Sequence, residues 1–251
     1  MLLFLGKLGI FTGTLFFCTN IKYIRYIIME LKVQIPDQLS EITITQYSAY
    51  LNIIEQFEKM KEQNKNSDVF YLLKTLEIFT GINYQDGMKL RLTDVKKIIL
   101  KIEKLLSEKP ELIRSFKLGD TTFGFIPKLD DMTFGEYVDL DTNISNWDNM
   151  HKAMAVLYRP IKLKKKGLYL IEDYKGDAYH EAMKLMPLDV AFSSLIFFYH
   201  LGMDLSIGMT KFLEKAKAKP ELTESQIFLE NGDGINQSIL SLKGMLQDMK
   251  L

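Results

Sequence analysis

A phrase of nine residues occurs twice in this chain, about ninety residues apart. The first copy is LSEITITQY at residues 39–47, and the second copy is LDDMTFGEY at residues 129–137. Each copy follows an Ile-Pro pair and contains a Thr with Gln or Glu three residues further on. A Thr in this position caps the free backbone N–H groups of a helix start, and the Gln or Glu reaches back to the Thr amide. The phrase therefore predicts two helices, each entered from an extended segment.

The predicted capping boxes are Thr43 with Gln46 in the first copy and Thr133 with Glu136 in the second. Two units built to one plan would explain the repetition. A capping box also recurs without any such plan, because it stabilises a helix start wherever one is needed. Both interpretations stay open at this point, and neither contains chemistry.

Charge and cysteine content exclude several classes of protein. The 251 residues contain 32 Lys plus Arg and 32 Asp plus Glu, so the formal net charge is zero. A protein that coats nucleic acid normally has a strongly basic balance, so we expect no nucleic-acid partner. Cys18 is the single cysteine, which excludes an intramolecular disulfide and a zinc site built on cysteines. A reducing compartment fits this content.

The first 28 residues differ in composition from the rest of the chain. Residues 8–21 form a run of 14 uncharged residues, shorter than the roughly 20 that span a bilayer. The chain starts with MLLFLG rather than with the basic stretch that opens a signal peptide. We interpret residues 1–28 as an N-terminal extension, either wrongly assigned as coding sequence or disordered, with translation starting at Met29. A membrane anchor is the alternative.

Hydrophobic periodicity predicts a mainly α fold, of the α+β type with two small β-hairpins. We divide it into two tandem helical units, residues 29–118 and 119–251. Predicted helices cover 43–65, 68–79, 93–106, a stretch from Thr133, 147–158, 178–185, 188–215 and 235–250. A strand is predicted at 31–35 and hairpins at 113–126 and 161–173, the second with its turn at Lys166-Gly167. Gly81 is placed to end the second helix in a left-handed conformation, and Thr93 and Asp94 to cap the third.

The chain contains no motif of a familiar catalytic or cofactor site. Neither a phosphate-binding glycine loop nor a G-x-S-x-G elbow is present. The three histidines, His151, His180 and His200, are widely separated along the sequence. We therefore expect a protein that is not an enzyme, with no metal and no cofactor.

An acidic cluster near the second copy could gather a hard cation such as Mg²⁺. Its members are Asp130, Asp131, Asp139 and Asp141. Asp130 and Asp131 precede a helix start, where the helix dipole favours negative charge. We expect Asp139 and Asp141 to form a structural salt bridge with Arg159 instead of binding metal.

Four lysines cluster at the predicted tip of the second hairpin, at positions 162 and 164–166. Charged residues at such an edge discourage strand pairing with other molecules, and this is the interpretation we favour. Nucleic acid or an acidic protein partner is the alternative.

Aromatic residues are dense on the predicted helix after Pro187. The set Phe192, Leu195, Phe198 and Tyr199 has helical spacing, for which core packing is the ordinary explanation. An exposed groove that holds a helix of another protein is the functional alternative. These four are our candidate partner-binding residues.

Two sets of motifs resemble proteins of tailed bacteriophages. Thr80-Gly81-Ile82, followed by Leu90, Leu92 and Asp94, is similar to the "TG-hydrophobic … L … D" pattern of phage tail assembly chaperones. A second set looks like a phage protein type common in viruses of Bacteroidota-like hosts: GFIPKLDDMT at 124–133, GEY at 135–137, MAVLYRP at 154–160 and PLDV at 187–190. This second resemblance covers about residues 31–215.

The chaperone resemblance implies a non-enzymatic morphogenesis factor that acts in the cytoplasm of the infected cell. Such a protein shields apolar helical stretches of the tail tape-measure protein until tail-tube subunits assemble around it. Its partners are then phage tail or virion proteins, with neither nucleic acid nor membrane. A virion structural protein, such as a connector or head–tail component, is the alternative function.

Overall fold

The structure, a computed structural model, describes residues 22–25, 30–62 and 67–217. Within these ranges it contains eight α-helices and six β-strands, so the predicted mainly helical α+β fold is confirmed. The helices are α1 (Ile44–Glu62), α2 (Ser67–Thr80), α3 (Tyr84–Gly87), α4 (Leu92–Leu106), α5 (Phe134–Ile144), α6 (Met150–Leu157), α7 (His180–Met183) and α8 (Leu188–Lys217). The strands are β1 (Lys22–Arg25), β2 (Glu30–Val33), β3 (Ser115–Leu118), β4 (Thr121–Phe125), β5 (Tyr158–Lys165) and β6 (Leu168–Ile171).

Several helix ends follow from local chemistry that the sequence carries. α1 and α5 begin directly after Thr43 and Thr133, as predicted. α2 ends at Thr80, and Gly81 has a φ of 72°, the left-handed conformation that a glycine at this position adopts without strain. The predicted end of the second helix is therefore confirmed.

α4 shows the amphipathic face that its sequence predicts, but a different start. Its buried residues are Val95, Ile98, Ile99, Ile102, Leu105 and Leu106. The helix begins at Leu92, because the Arg91 carbonyl accepts the amides of Asp94 and Val95. Thr93 and Asp94 therefore lie inside the first turn, and their predicted capping role is wrong.

The two predicted hairpins are confirmed, and they join into one antiparallel sheet. β3 pairs with β4, β5 pairs with β6, and β4 also pairs with β5, with Phe123 opposite Pro160. The strand order is β3-β4-β5-β6. The turn of the second hairpin lies at Lys166 and Gly167, as predicted, and both residues have positive φ. This backbone matches the twist that a two-residue hairpin turn requires.

β1 lies within the segment that we interpret as an N-terminal extension. Its four residues pair antiparallel with β2, with Lys22 opposite Val33. Residues 1–21 and 26–29 lie outside the described residues, so the interpretation of residues 1–28 stays a prediction. The predicted helix over 235–250 also lies outside the described residues.

One hydrophobic core contains residues from both predicted units. It extends along the chain from Ile35 to Leu195. Within it, Tyr47 packs edge-on against Trp147 and Phe192, with ring centroids 4.6 and 5.1 Å away. The predicted boundary between residues 118 and 119 falls in the turn that joins β3 to β4. The division into two units stays a prediction.

The chain enters α8 beside the start of α1. The short helix predicted over 178–185 is a 3₁₀ turn (Gly176–Tyr179) followed by the four residues of α7. Pro187 precedes α8 by one residue and forms an antiparallel β-bridge with Thr43. None of the helices in the described part of the chain has the length and apolar character needed to cross a bilayer.

Candidate partner-binding surface

The partner-binding residues predicted on α8 belong largely to the core. Phe192 and Leu195 are 0% and 1% exposed. Phe192 packs against the ring of Tyr47 on α1, and Phe198 packs against β4. Phe198 and Tyr199 are half-buried. For Phe192 and Leu195 core packing, the ordinary explanation, is therefore confirmed, and the alternative of an exposed groove is wrong.

The repeated phrase folds into the same local structure in both copies. Leu39–Glu41 and Leu129–Asp131 each form a single 3₁₀ turn. The residue that follows each turn is extended, and its amide donates to the first carbonyl of the turn, over 3.1 Å in the first copy and 3.0 Å in the second. The resemblance between the copies is therefore structural as well as sequential.

A capping box then starts each helix, as predicted. In the first copy the Thr43 hydroxyl accepts the Gln46 amide over 3.2 Å, and the Gln46 side chain accepts the Thr43 amide over 3.0 Å. In the second copy the same two bonds join Thr133 and Glu136, over 3.3 and 2.6 Å. Both capping boxes are confirmed.

Replacing Thr133 with Ala should lower the free energy of unfolding by about 1 kcal/mol, because the Glu136 amide loses its side-chain acceptor. Urea unfolding, followed by far-UV circular dichroism, measures this loss. Thr133→Ser keeps the hydroxyl and should stay close to the parent protein. An unchanged unfolding midpoint in Thr133→Ala would contradict the capping role.

In the first copy, the helix start is covered by the chain that enters α8. The Ile44 amide donates to the Met186 carbonyl over 3.1 Å, and the Leu188 amide donates to the Ile42 carbonyl over 2.8 Å. These bonds pair two extended segments antiparallel. Beneath them Ile44 and Tyr47 are each only 2% exposed.

The matching residues of the second copy face solvent. Phe134 and Tyr137 correspond to Ile44 and Tyr47 in the repeated phrase, yet they are 82% and 56% exposed. Val138 is also exposed, and positions i, i+3 and i+4 lie on one side of a helix. We call Phe134, Tyr137 and Val138 the α5 stripe. The same i, i+3 and i+4 spacing is found where an amphipathic helix packs into the groove of a partner.

The opposite side of α5 holds a buried ion pair. The Arg159 guanidinium lies 2.6 Å from the Glu136 carboxylate, and the two side chains are 8% and 4% exposed. The predicted pairing of Arg159 with Asp139 and Asp141 is wrong. Glu136 turns inward because one carboxylate oxygen completes the capping box, and this leaves its other oxygen facing Arg159.

The two carboxylates predicted for that pair have other surroundings. Asp139 accepts a hydrogen bond from the Tyr174 hydroxyl over 2.6 Å, and Asp141 is exposed. Burial raises the pKa of the Tyr174 hydroxyl, and its bond to the Asp139 carboxylate raises this pKa further. Tyr174 therefore stays protonated as a donor and ties the loop after β6 to α5.

Negative charge surrounds the α5 stripe. Asp130 and Asp131 are exposed in the 3₁₀ turn just before it, and Asp141 extends the stripe by one helical turn on the same side. Lys128 offsets part of this charge, with its ammonium 3.9 Å from the Asp131 carboxylate. The net effect favours cationic groups near the stripe.

A second exposed apolar surface lies on the second hairpin. Leu163, Leu168 and Leu170 are all exposed, and Leu163 stands opposite Leu170 in the strand register. We call these three the hairpin leucines. Leu168 and Leu170 lie on β6, the edge strand of the four-stranded sheet, and Leu163 lies next to them on β5. Lysines 162 and 164–166, the predicted charged tip, are exposed on this hairpin, and the Lys162 ammonium lies 3.1 Å from the Asp173 carboxylate.

The fold brings together two histidines that are distant in the sequence. His151 on α6 and His180 on α7 have ring centroids 6.3 Å apart, with the rings perpendicular. Burial lowers the pKa of His151, and the positive charge of Lys184 lowers it further. In the part of the chain that the structure describes, no three His, Cys, Asp or Glu side chains group so that they could hold a metal ion.

An open pocket of about 310 Å³ lies beside the first copy, next to the C-terminal end of α2. The polar side chains of its lining are those of Gln34, Glu41, Gln46 and Thr80. The Gln46 amide group donates to the Ile78 carbonyl over 3.1 Å. With one carboxylate in the lining, the pocket has no pair of groups for acid–base chemistry.

Sequence reasoning selected the aromatic-rich α8 and missed the α5 stripe. A signal for the stripe was present in α5 itself. Asp141 shares a helix side with Tyr137 and Val138, and an aspartate is almost never fully buried without a partner. That mixture of apolar and acidic residues on one side indicates a face in contact with solvent.

The motifs that resemble phage proteins fall in several regions of the structure. The residues similar to the chaperone pattern extend from the end of α2 to the start of α4, and the larger set includes β4, the second copy, the end of α6 and the start of α8. These regions contribute both to the core and to the α5 stripe. Comparison with protein-family models, with curated proteins and with solved structures finds no match to this chain.

Proposed function

We propose that this chain is a non-enzymatic tail assembly chaperone of a tailed bacteriophage, acting in the cytoplasm of the infected cell. It holds apolar helical segments of the tape-measure protein until tail-tube subunits take them over. The observation that carries this proposal is the α5 stripe, with Phe134 four-fifths exposed on a well-capped helix. The phage-like motifs supply the biological context.

The size of the stripe suits transient binding. Burying one Phe, Tyr or Val side chain is worth about 1.5–3 kcal/mol each, and association itself costs several kcal/mol or more in lost freedom. Three such side chains therefore support a weak, releasable contact. A chaperone that must hand its client to another protein needs such a contact.

The described side chains also favour a binding role over catalysis. Glu136 and Arg159 form a buried ion pair in which each side chain neutralises the other, and Glu136 also caps α5. His151 and His180 stand together on α6 and α7 with Lys184 and Glu181 as neighbours, and the open pocket beside α2 contains one carboxylate. Catalysis by proton transfer would require convergent groups around a substrate-sized cleft.

Co-purification with the tape-measure protein tests the proposal. The tagged full-length chain is mixed at micromolar concentration with the tape-measure protein encoded by the same phage genome, and the captured material is analysed. We expect the tape-measure protein to be retained and to stay soluble longer than it does alone. The tail-tube subunit serves as the control and should not be retained. Failure to bind the tape-measure protein at this concentration would reject the chaperone function.

The hairpin leucines favour the second candidate, a virion structural protein. Leu168 and Leu170 on the edge strand β6, with Leu163 beside them on β5, form a surface that a permanent assembly would bury against a neighbouring sheet. Mass spectrometry of purified phage particles separates the two functions. A stoichiometric amount of this chain in finished particles would support the structural role, whereas its absence there would support the chaperone.

A further inference from the structure

The first copy of the repeated phrase shows what covers such a helix start. The covering segment is KLMPL at residues 184–188, which leaves α7 through a turn at Lys184 and Leu185, pairs with Thr43 at Pro187 and then becomes α8. The Thr45 amide and hydroxyl both donate to the Lys184 carbonyl, over 3.3 and 2.8 Å. Together with the bonds of Ile42 and Ile44, these contacts form a short ladder of hydrogen bonds over the helix start, with a single antiparallel β-bridge between Thr43 and Pro187.

The second copy presents the same backbone without that ladder. No described residue accepts a hydrogen bond from the Phe134 or Gly135 amide, and none donates to the Met132 carbonyl. These groups correspond to the Ile44 and Thr45 amides and the Ile42 carbonyl of the first copy. The side chains beneath, Phe134 and Tyr137, are the exposed ones. The second copy therefore repeats the covered site and lacks its cover among the described residues.

We propose that the second copy is a docking site for a cationic segment of another polypeptide that has the form of the covering segment. That segment forms the same short ladder of backbone hydrogen bonds with residues 132–135. A helix follows and lays its apolar face on the α5 stripe, with lysine or arginine beside the apolar residues. This inference rests on the proposed function, because it specifies which part of a client the chaperone holds.

The positive charge that we propose for the partner segment follows from the side chains around the α5 stripe. Asp130, Asp131 and Asp141 border it, and an acidic partner would be repelled. Another molecule of this chain is disfavoured for two reasons. Its own α5 stripe carries the same negative charge, and its covering segment is already used, with Met186 and Leu188 fully buried.

A pair of synthetic peptides tests the proposal on the full-length chain. The basic probe begins with KLMPL and continues as about four turns of helix with leucine on one side and lysine elsewhere. The acidic twin has glutamate at every lysine position. Fluorescence anisotropy at low and at physiological salt measures both affinities. We expect the basic probe to bind at least tenfold more tightly than the twin, with a preference that shrinks as salt rises.

Two matched pairs of variants locate the site. Phe134→Ser with Tyr137→Ser should weaken the basic probe at least tenfold, whereas Leu92→Ser with Leu100→Ser, two comparably exposed residues of α4, should not. Asp130→Lys with Asp141→Lys should reverse the preference between the peptides. Glu111→Lys with Asp120→Lys changes the net charge equally at exposed positions elsewhere and should leave the preference unchanged.

Several outcomes would overturn the proposal. They are equal binding of the two peptides, no binding of either, binding that survives the α5 substitutions, or a dimer that the α5 substitutions convert to monomer. A photo-crosslinker at position 134 that reacts within its own chain would also overturn it, because the cover would then be internal. If the tape-measure protein binds but the peptides show no charge preference, this inference fails alone. If the basic probe binds at α5 but the tape-measure protein does not, the chaperone function fails alone.

Discussion

Replacing Phe192 with Ala should lower the free energy of unfolding by about 3–5 kcal/mol, because the truncated side chain leaves a cavity in a well-packed core. Phe192 is fully buried and packs edge-on against the rings of Tyr47 and Trp147, with centroids 5.1 and 5.8 Å away. It joins the start of α8 to α1 and to the segment before α6. Total stabilities of natural domains are about 5–15 kcal/mol, so this loss is a large fraction of the whole.

Urea unfolding of Phe192→Ala and of Phe134→Ala makes the comparison that matters. The two substitutions remove the same atoms, but Phe134 is mostly exposed and its loss should change the free energy of unfolding by no more than about 0.5 kcal/mol. We expect partner binding to respond in the opposite order, with the α5 variant affected and the α8 variant affected only through its stability. A stable Phe192→Ala protein that has lost its partner would restore α8 as the binding surface.

Local features of this fold could be predicted because neighbouring residues determine them. Thr133 and Glu136 form a capping box through bonds that span three residues, and Gly81 ends α2 through its own backbone freedom. The turn at Lys166-Gly167 and the apolar face of α4 are equally local. Each of these features needs only the sequence within about one helical turn or one hairpin.

Features that join distant parts of the chain could not be predicted from periodicity. The pairing of β4 with β5 unites two hairpins that each looked complete, and its register places Phe123 opposite Pro160. From the sequence, three acidic residues of α5 are candidate partners for Arg159. Glu136 is the partner because of the way α5 is rotated against β5. Helical spacing alone does not specify that rotation.

The repeated phrase did not indicate whether its apolar residues are buried or exposed. Tyr47 and Tyr137 occupy the same position of the same motif, and both follow a confirmed capping box. One is core and the other is surface, because residues 184–188 cover only the first copy. A pattern predicts which side of a helix is apolar, but a tertiary contact decides whether that side is covered.

Replacing Glu136 with Ala should lower the free energy of unfolding by about 3–5 kcal/mol, well beyond the effect of losing a helix cap alone. The substitution removes the acceptor of the Thr133 amide and leaves the Arg159 guanidinium buried without its counter-charge. Arg159 already has one poorly satisfied group, since its Nε has no hydrogen-bond partner among the described residues. Without Glu136, little would offset the free-energy cost of removing the Arg159 guanidinium from water.

A double-mutant cycle separates the ion pair from the cap. Glu136→Gln keeps a side-chain acceptor for the Thr133 amide, as Gln46 does in the first copy. The decrease in its free energy of unfolding relative to the parent protein therefore reports mainly on the lost charge. Arg159→Met removes the buried cation while keeping much of its apolar volume. We expect Glu136→Ala with Arg159→Met to be more stable than Glu136→Ala alone, because no unpaired charge then remains in the interior. Strictly additive losses in urea unfolding would show that the two side chains do not depend on each other, and that Glu136 acts only as a helix cap.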